Sequence, residues 1–212
     1  MRNLFIAGAL VAALAGCAAK QSPNADAASI AAVSYREPGP NTLTLYTMIN
    51  NRSGAGGHTS LMINASERVI FDPAGSFKAD IVPERNDVLF GITPPVERAY
   101  RGAHARETFH VLVQEVEVTP EQAQVAYQLA LQAGPIPGAY CANSTARILQ
   151  QVPGFESIDV TFYPVKLADQ FGALPGVTSD RYYESDSPDL QTGLAQNNAA
   201  LNQTVATSDE EG

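Results

Sequence analysis

The sequence predicts an α+β fold in which an antiparallel sheet packs against helices. Residues 42–50, TLTLYTMIN, alternate as a half-buried strand does, and residues 59–63 and 68–71 are two apolar runs joined across NASE as a hairpin. Residues 108–118 form the longest β-branched run. Two segments with helix start and stop signals follow that run.

Taken in order, the first strand ends at the glycine-rich loop of residues 54–57. Pro73 and Gly75 close the hairpin. Between residues 84 and 102, prolines and charges interrupt a short apolar VLFGI run, and no element is assigned there. The first helix opens at Thr119-Pro120-Glu121-Gln122, with a capping hydroxyl, proline at the first helical position and Gln three residues after the cap. Val125 and Leu129 share one face of it, and Gly134-Pro135 stops it. Pro137-Gly138 and Pro153-Gly154 bracket the second helix. Ala142, Ala146 and Leu149 recur there at helical spacing, and Cys141 falls in the first turn. Residues 159–163 predict a last strand and residues 164–171 a short closing helix.

The two ends carry other signals. Arg2, an apolar run over residues 4–15 and Leu14-Ala15-Gly16-Cys17 read as a secretory signal ending in a bacterial lipobox. The apolar run is shorter than the roughly 20 residues of a membrane-spanning helix, so residues 1–16 are expected to be a removed lipoprotein signal peptide. Lipidation of Cys17 would then anchor the chain to a membrane, each buried methylene contributing about 0.8 kcal/mol. Ala18 after the cysteine favours the outer membrane, facing the periplasm. Residues 17–40 read as the lipidated N-terminus and a tether rich in Ala, Ser, Pro and Asn. Residues 41–178 form the folded domain, in a chain that is 45% hydrophobic. Residues 179–212 carry seven acids against Arg181, net −6 of the chain's −9, and read as a disordered acidic tail. The folded part is near neutral, and nothing in it points to nucleic acid.

With Cys17 lipidated, Cys141 is the one remaining thiol, which excludes a disulfide within the monomer. The unpaired N–H groups and positive dipole end of a helix N-terminus stabilise a thiolate and can hold the oxyanion formed at an attacked carbonyl. A thiol nucleophile also needs a base, and His58, between the glycine loop and the second strand, is the best placed of the three histidines. His104, in RGAHARE, is expected on a solvated face and His110 inside the longest strand. No HxxxH or CxxC spacing supports a metal site, and no cofactor is expected. Taken singly, Cys141 also reads as a small buried apolar side chain, His58 as a loop residue at the surface, and Asp72 as a turn starter before Pro73.

The pair GHTSLMI and YCANSTARIL, a histidine opening a strand and a cysteine opening a helix, resembles the NlpC-type papain-like cysteine peptidases. His58 precedes Cys141 by 83 residues, the order of the circularly permuted branch that includes lecithin retinol acyltransferase. The resemblance covers roughly residues 43–163 and implies a permuted papain-like fold, with Cys141 as nucleophile and His58 as base. It also implies a polar residue on the following strand that orients the imidazole; the matching place is Asp72, at the end of RVIFD. Tyr140 is a candidate oxyanion or substrate contact. Tyr140-Cys141-Ala142-Asn143 stands where the acyltransferase branch has an Asn-Cys-Glu-His-Phe box, which weakens an assignment to acyl transfer. The expected function is a lipid-anchored envelope thiol hydrolase acting on an amide or ester, with peptidoglycan peptides or lipid-linked acyl groups as substrate classes. Its rival is a catalytically silent binding or scaffold lipoprotein of the same fold.

Overall fold

A computed structural model describes residues 24–185, 187 and 189–210. The expected signal peptide, Cys17 and the start of the expected tether lie outside the described residues. Seven strands form one antiparallel sheet: β1 (Asn41–Asn50), β2 (Gly56–Asn64), β3 (Arg68–Phe71), β4 (Glu84–Arg85), β5 (Val88–Leu89), β6 (Phe109–Val118) and β7 (Thr178–Tyr182), in the order β4-β5-β3-β2-β1-β6-β7. The helices are α1 (Ala27–Ala32), α2 (Pro94–His104), α3 (Pro120–Gln132), α4 (Cys141–Gln150), α5 (Pro164–Gly172) and α6 (Leu190–Glu210). The fold is therefore α+β with an antiparallel sheet. No described helix is long and apolar enough to cross a membrane.

Successive residues of a strand point to opposite faces, and β1 and β2 are apolar on both. Leu43, Leu45, Leu61 and Ile63 pack with Ala126, Ala146, Leu149 and Phe171 of α3, α4 and α5. On the other face Tyr46, Met48, Met62 and Ile70 pack with Val96, Ala99 and Tyr100 of α2. The central strands are thus covered on both sides, and the ends of β2 and α4 meet at one margin of the sheet.

Four expectations change. The unassigned stretch contains α2, which exposes its charges while Val96, Ala99, Tyr100 and Ala103 are buried at helical spacing. It also contains a β4–β5 hairpin turning at Asn86 and Asp87, both with positive φ. Residues 159–163 form no strand, because side chains take up their backbone groups: Asp159 N–H donates to Gln170 Oε1 at 2.6 Å and Gln170 Nε2 donates back to the Asp159 carbonyl at 3.2 Å. The tether docks onto the domain over its described part: Ala25 N–H donates to the Glu84 carbonyl at 2.8 Å and Arg68 N–H to the Tyr35 carbonyl at 2.6 Å.

The acidic tail is the fourth correction. Thr178–Tyr182 pairs with β6 as an edge strand, its polar side chains facing water. Helix α6 lies along α2, with Leu201 4% exposed in the second cluster and Asn197 Nδ2 donating to the Ala99 carbonyl at 3.2 Å. Net charge predicted disorder, but a few apolar anchors suffice to hold a polar helix. Leu201→Ala is expected to cost about 2 kcal/mol and to lower the melting temperature by roughly 4–8 °C, read by thermal unfolding. An unchanged melting temperature would mean that α6 contributes no stability.

Candidate active site

His58 reaches the margin of the sheet through an irregularity in β2. The β1–β2 register pairs Met48 with His58 but Ile49 with Gly56, leaving Gly57 as an extra residue. A bulge of this kind re-aims the neighbouring side chain. Gly56 is needed for close packing, since a Cβ there would stand 2.7 Å from Pro164 Cβ at the start of α5.

Asp72 follows β3 and is 4% exposed. His58 Nε2 lies 2.7 Å from its Oδ1, and a carboxylate only accepts, so Nε2 donates. This leaves Nδ1 for Cys141, with which the ring shares a hydrogen bond and charge. Tyr100, on α2, donates its O–H to the same Asp72 oxygen at 2.7 Å and receives Ser60 Oγ–H at 2.7 Å. Cys141 opens α4 and is 8% exposed. The N–H groups of Thr59 and Ala142 point at its sulfur.

The electrostatics follow from these contacts. Burial works against an imidazolium at His58, but Asp72 and then Cys141 outweigh it and push the ring up to about 10. Burial likewise opposes the charged forms of Asp72 and Cys141. His58 overcomes it in both, holding the carboxyl and the thiol below their ordinary values. Both shifts favour an imidazolium–thiolate pair, oriented by a buried carboxylate.

Gly75 completes the support. A Cβ there would fall 1.8 Å from Asp72 Oδ2, so Gly75→Ala must displace the carboxylate from the imidazole. The variant is expected to stay folded and to lose at least about tenfold in Cys141 reactivity at pH 6, followed as alkylation rate. An unchanged rate would show that the position of Asp72 is immaterial to the thiol.

The fold thus brings Cys141, His58 and Asp72 together, and it places Tyr140 at the rim. Tyr140 N–H is used by the Pro137 carbonyl at 3.2 Å, so it is not a backbone oxyanion donor. Its ring, 45% exposed, packs edge-on against Phe162 at 5.1 Å. The N–H groups of the first turn of α4, which have no carbonyl one turn back, are better placed for an oxyanion. Comparison with protein-family models, with curated proteins and with solved structures found no match.

Two participants are not apparent in the sequence. Tyr100 and His104 lie one turn apart on α2, and His104 stacks on His58 with ring centroids 5.9 Å apart. His104 is therefore not on a solvated face: it ends α2 against His58, and Arg106, just past the helix, is buried and lines the same cavity. The i, i+4 spacing of Tyr100 and His104 was the available signal. His58, Asp72 and His104 also form the one group of potential metal ligands among the described residues. His110 lies apart, its Nδ1 2.7 Å from Asn51 Oδ1.

Proposed function

We propose that the chain is a lipid-anchored cell-envelope thiol hydrolase with a permuted papain-like, NlpC-type fold. The observation that carries this reading is one imidazole held by Asp72 on its Nε2 side and coupled to Cys141 on the other. The thiolate of Cys141 attacks an amide or ester carbonyl, and first-turn N–H groups of α4 receive the developing oxyanion. His58 then gives its proton to the leaving amine or alcohol, and it accepts one from the water that hydrolyses the thioester. Asp72 holds the ring in its tautomer throughout, with Tyr100 as a positioning residue behind it. Peptidoglycan peptides are the preferred substrate class and lipid-linked acyl groups the second.

The rival, a silent binding module, draws on the 8% exposure of Cys141. Mass spectrometry of the native full chain after brief iodoacetamide treatment near neutral pH separates the two. The enzyme reading expects rapid, stoichiometric modification at Cys141 and an acyl adduct there on quenching with activated esters, both absent from Cys141→Ala. A thiol that reacts only after denaturation would favour the binding module.

A further inference from the structure

Asp72 stands between two imidazoles. A ring nitrogen of His58, one of His104 and a carboxylate oxygen of Asp72 lie within 4.8 Å of one another, although they come from β2, α2 and the loop after β3. Tetrahedral zinc, with bonds of about 2.0–2.2 Å, sets its ligand atoms roughly 3.3 Å apart. The spacings here, from the 2.7 Å between His58 and Asp72 up to 4.8 Å, bracket that value.

The outer contacts are those that fix metal ligands. The Tyr100 carbonyl can only accept, so His104 Nδ1 carries the proton and donates it at 2.8 Å, leaving the lone pair on Nε2. Asp72 is fixed by Tyr100 O–H, itself held by Ser60. A cavity of about 350 Å³ opens onto His58, His104 and Gly75, giving an ion a way in and room for water at a fourth position. None of the bond-making or proton-transfer steps of the thiol chemistry passes through His104.

We propose that His58, Asp72 and His104 form a binding site for a zinc-type divalent ion, occupied in alternation with the thiol chemistry. An ion on His58 Nε2 displaces the proton given to Asp72, which leaves to solvent. The ring is then neutral with its one proton on Nδ1, and giving that proton to a leaving group would make it an imidazolate, so the general-acid step is blocked while the ion is bound. Metal binding itself rests on the ligand geometry and not on the hydrolase reading.

The test is a titration of the chelator-treated full chain with zinc chloride, by calorimetry or against a chromophoric chelator. One ion per chain is expected, with binding weakened at least tenfold in His104→Gln and retained in Cys141→Ser. No saturable binding, or binding lost in Cys141→Ser but kept in His104→Gln, would overturn the site. Cobalt spectra of the unsubstituted protein provide a check that needs no variant. Intense visible bands without a sulfur-to-cobalt charge-transfer band support the three-residue site, whereas that band would place the ion on Cys141 and refute it.

Discussion

With His58 replaced by alanine, alkylation of Cys141 at pH 6 is expected to slow by about tenfold or more. An ordinary thiol with a pKa of about 8.5 is only about 0.3% ionised at pH 6, whereas His58 and the N–H groups of Thr59 and Ala142 hold this one lower against its burial. Part of the gain is offset because nucleophilicity falls with thiol pKa, hence about tenfold and not several hundredfold. The signs set the shape of the profile. The thiolate forms as pH rises through the depressed thiol value, and the imidazolium persists until about 10. The ion pair fills the interval between, and both limits belong to the coupled pair. Below the lower limit the rate falls as sulfur is protonated; above the upper one it rises again as a free thiolate appears. Rates of iodoacetamide modification from pH 4 to about 11 test this, and a lower limit that the substitution does not move would sink the coupling.

Arg68→Leu is expected to cost about 3–5 kcal/mol, the largest stability loss among these variants. Arg68 is 7% exposed; its guanidinium donates to Glu97 Oε2 at 2.5 Å and to Glu37 Oε2 at 3.1 Å. Glu97 also accepts Tyr46 O–H at 2.9 Å. Removing the cation leaves a half-buried carboxylate facing Tyr46, with Arg101 at 3.6 Å as its remaining cation. Since Glu97 and Tyr100 lie on the same helix, loosening this clamp should also disturb the support of Asp72. Denaturant unfolding measures the first effect and Cys141 alkylation the second. A loss below about 1 kcal/mol, the value of a surface pair, would show that the network is solvated.

What could be read in the sequence depended on where the deciding partner lay. The α3 start was legible because both halves of its capping box sit within four residues, Gln122 N–H donating to Thr119 Oγ1 and Thr119 N–H to Gln122 Oε1. Cys141, His58 and Asp72 were each legible as chemistry, yet their approach required the whole sheet. Helix α2 was obscured by Pro94 and Pro95, although prolines suit a first turn. The nonexistent strand at residues 159–163 alternated convincingly, but pairing needs a free edge, while Gln170 offered its amide locally. Charge counting failed at α6 because net charge does not register Leu201 meeting the face of α2.

The docked N-terminal segment sets a working distance. Asn24 Nδ2 donates to Asn86 Oδ1 at 3.1 Å, Arg85 Nε donates to the Ala25 carbonyl at 2.9 Å, and Asp72 N–H donates to the carbonyl of Asp87 at 2.8 Å. The chain thus leaves the domain two hydrogen-bonded steps from the carboxylate of the site. Only six residues lie between Cys17 and Asn24, a span of at most about 25 Å when fully extended. Acyl chains on Cys17 would therefore confine the thiol to a thin shell above the bilayer, and a bond out of reach of that leash would go uncut however well it fitted the cleft.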